Sequence, residues 1–155
     1  MRQLSFIILA AIFLTLSIPA LRHEILDDEL NAATRQIIGT VQEVRNLSVR
    51  EHKPYLLHFE LGERRLWYEA EGADDLFEEP EETALQLPQE VRLEEVRLAS
   101  QETENSRSVT LWISNKGYMD QLTVLLSDDN NRDISIVFSP FSGSARIHES
   151  HLQAE

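Results

Sequence analysis

The first third of the chain constrains what the rest can be. From Leu4 to Ile18 the sequence is apolar and uncharged, and Pro19 closes the run. Beyond it Leu26, Leu30, Ala33, Ile37, Val41, Val44 and Leu47 recur at steps of three and four. That spacing lines one stripe of an α-helix and carries it to about Glu51. An apolar half joined to an amphipathic half reads as a membrane-rooted stalk. Leu4 to Leu21 is about 18 residues, at the short end of a transmembrane helix. Two readings compete with the retained anchor: a cleaved export signal, with Met1-Arg2 as its basic start and a cut after Ala20, and a buried core helix. The anchor is preferred over the signal because Ile18 stands where a cleavage site needs a small residue and the run is long for a signal core. Arg2 and Arg22 flank the run on opposite sides, so positive charge gives it no orientation. Proline in a helix removes a hydrogen bond and bends the axis, so a kink is expected at Pro19. Gly39 lies mid-helix, either tolerated or placed for close packing.

Removing residues 1–51 from the 155 leaves enough chain for one small domain with its own core. The division expected is a membrane segment 1–21, an amphipathic stalk helix 22–51 and a β-rich head 52–155. Lys and Arg number 14 and Asp and Glu 27, a formal charge of −13. Phosphate recognition needs clustered cations, so nucleic acid is excluded as a partner. Cysteine is absent, which removes disulfides, thiolate zinc sites and thiol nucleophiles.

The helix must stop near His52-Lys53-Pro54, since the residue before proline avoids the α region. Tyr55 to Leu61 reads as a strand, Gly62-Glu63 as a turn and Arg64 to Ala70 as the returning strand. Between 69 and 104 lie thirteen carboxylates opposed only by Arg92 and Arg97. Glu78-Glu79-Pro80-Glu81-Glu82 is too charged and too proline-broken for a core, and is expected as an exposed loop. Val91, Leu93, Val96 and Leu98 mark a strand with an irregularity at Glu94-Glu95, and 100–107 is a polar loop. Strands are expected at 109–113, 121–126 and 134–138, with an edge strand at 146–148. Tight turns separate them at 115–117, 128–131 and 139–144. Short strands at this spacing argue for antiparallel sheets. Trp67, Trp112 and Phe138 sit in strand patterns and are expected in the core.

No catalytic set emerges. The sequence has no glycine-rich phosphate loop, no Gly-x-Ser-x-Gly and no His-Glu-x-x-His. His148 and His151 would share a metal only if that segment were helical, and a polar C-terminus is expected to fray. Asp128 to Asp133 offers oxygen ligands of the kind calcium takes, but lacks the glycine at the sixth position and has Ser139 in place of the glutamate at the twelfth. A polar hairpin turn accounts for it better. The carboxylates of 69–104 are numerous enough to contain a glycosidase-like pair, yet a solvated acidic surface explains them more simply. No catalytic, cofactor-binding or metal-binding residue is assigned, and no cofactor is expected.

With this layout in view the chain resembles the minor pseudopilins of bacterial type II secretion, the protein H class, and the related minor prepilins of type IV pili. Ala33-Thr34-Arg35-Gln36-Ile37-Ile38-Gly39-Thr40-Val41-Gln42-Glu43-Val44-Arg45, followed by Lys53-Pro54-Tyr55-Leu56-Leu57, is similar to that family's helix end and first strand. Ile136-Val137-Phe138-Ser139-Pro140-Phe141-Ser142-Gly143-Ser144-Ala145-Arg146-Ile147 is similar to its closing strand, turn and final short strand. The resemblance implies an α+β fold, a long N-terminal helix with its first half in the membrane, packed on an antiparallel β-sheet head. It implies a structural, non-enzymatic subunit of a pseudopilus, at or near the tip, that helps initiate assembly and export across the outer membrane. Its partners would be other pseudopilin subunits, met through helix and head, the inner membrane and exported proteins. The head would be periplasmic on a single-pass inner-membrane anchor. One departure stands out. The family opens on a basic leader, a glycine and a Phe-Thr-Leu-Ile-Glu-like start. Aligning Pro19 with the family's proline puts Arg2 at the glutamate, so the expectation is that the reading frame begins upstream of Met1, the alternative being a subunit never cut as a prepilin. A binding module unrelated to pili and a small periplasmic hydrolase are the alternatives of other classes.

Overall fold

The computed structural model of the chain describes residues 29–72, 84–101 and 106–151. The proposed membrane segment 1–21, the first turns of the stalk and the loop Glu78 to Glu82 lie outside the described residues. Helix α1 occupies 29–51. Leu30, Ala33, Ile37, Val41 and Val44 are fully buried and Leu47 partly so, as the periodicity requires. Thr34 and Ser48 complete the stripe; their hydroxyls donate to the Leu30 and Arg45 carbonyls and so enter the core with their polarity satisfied. Gly39 is exposed and a methyl there would touch nothing, so it does not serve close packing against the head.

The helix ends as Pro54 demands. Lys53 N–H donates to the Ser48 carbonyl and His52 N–H to that of Val49, while His52 turns left-handed at φ 56°. This is a Schellman closure with histidine where glycine is usual. Eight strands follow: β1 (Tyr55–Glu60), β2 (Arg65–Ala70), β3 (Leu85–Gln86), β4 (Arg92–Leu98), β5 (Ser108–Ile113), β6 (Leu122–Ser127), β7 (Arg132–Phe138) and β8 (Ala145–His151). They form two antiparallel four-stranded sheets, ordered β3-β2-β1-β5 and β4-β6-β7-β8. The chain thus crosses to the second sheet for β4, returns to the first for β5, and crosses again for β6. The architecture is α+β, one described helix on two sheets.

Alternation decides which side chains face inward. Tyr55, Leu57 and Phe59 of β1, Leu66 of β2 and Val109, Leu111 and Ile113 of β5 are buried on the first sheet. Leu122, Val124 and Leu126 of β6, with Ile134, Ile136 and Phe138 of β7, are buried on the second. These faces and the helix stripe form one continuous core. In β4 the pairing with β6 slips between Leu93 and Glu95, at the expected irregularity. The bulge takes up one residue, so that Leu93, Val96 and Leu98 all reach the core while Glu94 and Glu95 stay outside.

The same alternation corrects the two tryptophans. Phe138 is buried, but Trp112 is 48% exposed because Val109, Leu111 and Ile113 take the inward positions of β5. Trp67 lies on the outer face of β2, between inward-facing Leu66 and Tyr68, and stacks on His58 with ring centroids 4.0 Å apart. β3 was not anticipated; two residues carry no periodicity to read. Residues Ala145–His151 form edge strand β8, longer than the expected 146–148. That segment is a strand and not the helix on which His148 and His151 could have shared a metal.

Candidate functional site

The exposed apolar residues Val49, Tyr118 and Phe141 stand close together. Three segments meet there: helix residues 44–49, the turn 114–119 after β5 and the stretch 139–144 that joins β7 to β8. Each turn is shaped by a glycine in the left-handed region, Gly117 at φ 81° and Gly143 at φ 63°. In the first, Ser114 N–H donates to the Tyr118 carbonyl at 2.8 Å and the Ser114 hydroxyl accepts from the Lys116 and Tyr118 amides. Met119 N–H then donates to the Pro140 carbonyl, tying the two turns together.

Arg45 binds both turns to the helix. Its Nε donates to the Gly117 carbonyl at 2.9 Å and its Nη2 to the Phe141 carbonyl at 3.1 Å. The guanidinium fills the space a side chain at Gly143 would need, since a Cβ there would fall 1.3 Å from Nη1. At Gly117 a Cβ would come within 3.1 Å of Val49 Cγ2. Burial pulls the Arg45 guanidinium below its ordinary pKa, though an arginine keeps its charge at neutral pH.

This clamp displays Tyr118 and Phe141 side by side, edge to face with centroids 5.6 Å apart. Tyr118 is 50% exposed and Phe141 76%, and Val49 flanks them at 46%. Trp112, on β5, and Ile147, on β8, are the other large exposed hydrophobics among the described residues. The three segments hold Arg45 and Lys116 and no Asp or Glu, with Asp120 directly after the second. Exposed aromatics with arginine and depleted carboxylates are the composition of a protein–protein interface core.

The outer face of the first sheet is different in kind. His58 uses Nδ1 on Thr110 and Nε2 on Glu69, Trp67 Nε1 donates to Glu60, and Arg65 pairs with the same Glu60 at 2.7 Å. Partial burial of Glu60 works to raise its pKa, but the Arg65 and Trp67 hydrogen bonds prevail and hold it below the usual carboxylate range. These bonds cross-link strands β1, β2 and β5 on their outer face.

The acidic residues of 69–104 that lie among the described residues do not converge. Glu69 and Glu71 belong to the first sheet and its end, where they bond His58 and Trp112. Glu94 and Glu95 lie on the second, with Arg92 and Arg97. The Asp128 turn is a hairpin staple: Oδ1 of the buried Asp128 accepts from the Asn130 and Arg132 amides, and Asn131 turns left-handed at φ 56°. Among the described residues no group of His, Asp or Glu is arranged to hold a metal ion. From sequence 115–117 and 139–144 read only as turns. Their meeting, and the part of Arg45, are long-range facts with one weak signal: Arg45 and Val49 stand four apart beside the apolar stripe, on a helix edge that is neither core nor polar.

No family model matches the chain, and no curated protein sequence matches it. Solved structures do. The minor pseudopilin EpsH from the type II secretion system of Vibrio cholerae superposes with a TM-score of 0.58 at 11% identity, over 77% of this chain and 96% of that one. A second structure of the same Vibrio cholerae protein gives 0.54 at 12% identity, over 84% and 99%. At such identity the likeness is one of fold, and it spans nearly the whole of the other chain.

Proposed function

We propose that this chain is a minor subunit of a type II secretion pseudopilus. The observation that carries the reading is the shared fold: a long N-terminal helix seated on two antiparallel sheets, in the arrangement of a minor pseudopilin over almost that protein's full length. The sequence supports it independently, through the apolar run Leu4 to Ile18 at the start of the same helical layout. In this reading residues 1–21 anchor the chain in the inner membrane and pack among the corresponding helices of neighbouring subunits. The head stands in the periplasm at or near the filament tip, where it helps initiate assembly and contacts the exported proteins. The role is structural and uses no enzymatic chemistry.

Co-expression with the other pseudopilins of one secretion system tests it. The full chain is expected in the membrane fraction and in a complex with at least one of those subunits after mild detergent extraction. A full-length chain found intact in the aqueous fraction would refute the anchor, and a chain purifying without any pilin-like subunit would refute the assembly role.

A further inference from the structure

We infer that the free edge of β8 is a strand-addition site for an extended segment of a different polypeptide, one that sets an apolar residue beside Ile147 and a carboxylate beside Arg146. β8 closes one side of the second sheet, paired with β7 along its length and with no strand beyond it among the described residues. The ladder fixes where its backbone groups point. In an antiparallel pair, residues that exchange both hydrogen bonds alternate with residues that exchange none. Ser139 N–H donates to the Ser144 carbonyl and Asp128 N–H to that of Arg132. Both bonds direct the odd-numbered residues of β7 toward β8. In the register Val137↔Arg146 and Ser135↔His148, Arg146 and His148 then turn their amides and carbonyls to β7. Those of Ala145, Ile147 and Glu149 point outward, in a row with a repeat of about 7 Å that an extended backbone matches.

The other three sheet edges are blunted. β3 has two residues, β4 is bulged between Leu93 and Glu95, and β5 has Met119 bridged to Ile113 at its end. β8 has no proline, and its register with β7 is unbroken over seven residues. Its side chains define what should lie alongside. Ile147 stands opposite buried Ile136 on the inner face of the sheet, yet is 50% exposed. Glu149 shares that face and is answered by Arg132 at 3.6 Å, so it does not repel a neighbouring strand as a lone inward carboxylate would. On the outer face Arg146 is exposed and has no ion pair among the described residues. A second copy of this chain answers these groups poorly. Directly opposed residues share a face, and the outer face of β8 from Arg146 to Ser150 offers only Arg146, His148 and Ser150, so no twofold pairing of two such edges brings Arg146 a carboxylate. The one symmetric register that matches Ile147 with itself sets Arg146 against His148 twice.

The test uses the full chain in non-ionic detergent and, as probe, the labelled and end-blocked peptide Lys-Thr-Val-Glu-Val. In antiparallel register its central Val lies opposite Ile147 and its Glu opposite Arg146. Saturable binding by fluorescence anisotropy is expected, weakening with added salt. Methylating the amide of the central Val removes a donor to the edge and should weaken binding roughly tenfold or more. Ile147→Pro should do the same and keep a cooperative melt, since the amide it removes points away from β7. Arg146→Glu should weaken binding several-fold and remove its salt dependence. No binding of the parent peptide, equal binding of the methylated one, or equal affinity in Ile147→Pro overturns the inference. Concentration-dependent dimers of the parent chain that Ile147→Pro abolishes overturn it as well, by making a second copy the occupant. Loss of this edge would leave the pseudopilus reading standing, which rests on the shared fold; peptide binding by a chain that purifies without any pilin-like subunit would sink that reading and spare the edge.

Discussion

Replacing Gly143 by alanine should destabilise the head by about 3 kcal/mol. Two causes add. The residue sits at φ 63°, a region that costs an L side chain about 1–2 kcal/mol. Its new methyl carbon would also fall 1.3 Å from Arg45 Nη1, so the guanidinium must leave. That forfeits the bonds to the Gly117 and Phe141 carbonyls. Hydrogen bonds from a charged donor contribute about 1.5–3 kcal/mol each in buried settings; Arg45 is only partly buried, so about 1–2 kcal/mol for the pair is the fair figure. A head of this size shifts its melting point by roughly 4 °C per kcal/mol, which predicts a fall of about 10 °C by circular dichroism. The decisive comparison is with Arg45→Ala. In that background the clash is gone and Gly143→Ala should cost only the backbone part, about 1–2 kcal/mol. Additive losses in the double variant would mean that Arg45 does not occupy the space above Gly143, and an unchanged melt of the single variant would refute the clamp outright.

Other outcomes follow from the helix. Val41 is fully buried, so Val41→Asp places an unpaired carboxylate in the core and should cost several kcal/mol, read as loss of the cooperative melt. Gly39 is exposed with open space around it, and Gly39→Ala should raise stability by up to about 1 kcal/mol, seen as a higher denaturant midpoint. Glu29 is pushed above its ordinary pKa by partial burial and by Glu90 beside it. The folded chain therefore holds that proton more firmly than the unfolded one, and ionising it is a cost absent below the ordinary carboxylate pKa and complete above the raised one. Glu29→Gln should raise the melting point at pH 7 and leave it unchanged near pH 4; the reverse order would contradict the Glu29–Glu90 contact.

Much of the fold could be read from the chain because it is written in local periods. The stripe from Leu30 to Val44 and the strand runs in the head needed only spacing, and Pro54 marked the helix end within two residues. Trp112 shows how far bulk misleads when alternation is set aside: Val109, Leu111 and Ile113 already claimed the inward face. The interaction surface was not legible in this way. Arg45 reaches carbonyls 72 and 96 residues away, and no short-range pattern announces that a turn after β5 and a turn after β7 will share one guanidinium. The division of the strands between two sheets is long-range as well, since β4 and β5 are neighbours in sequence and part company in space.

That parting has a consequence for how the head is made. The first sheet lacks its strand β5 until about residue 113 has been synthesised, and β4, which precedes it, finds its partner β6 only after that. Tyr55 to Glu60 therefore waits on the nascent chain with one edge open, exposing backbone donors and acceptors to any other extended segment. No prefix of the sequence that ends before β6 can close either layer against the other, so the head gains its stability in one late step and not strand by strand. The two pairings that join non-consecutive strands, β1–β5 and β4–β6, close the longest loops and slow that step. A chain released early, or cut between β4 and β6, should be lost to aggregation or proteolysis and not persist as a smaller folded unit.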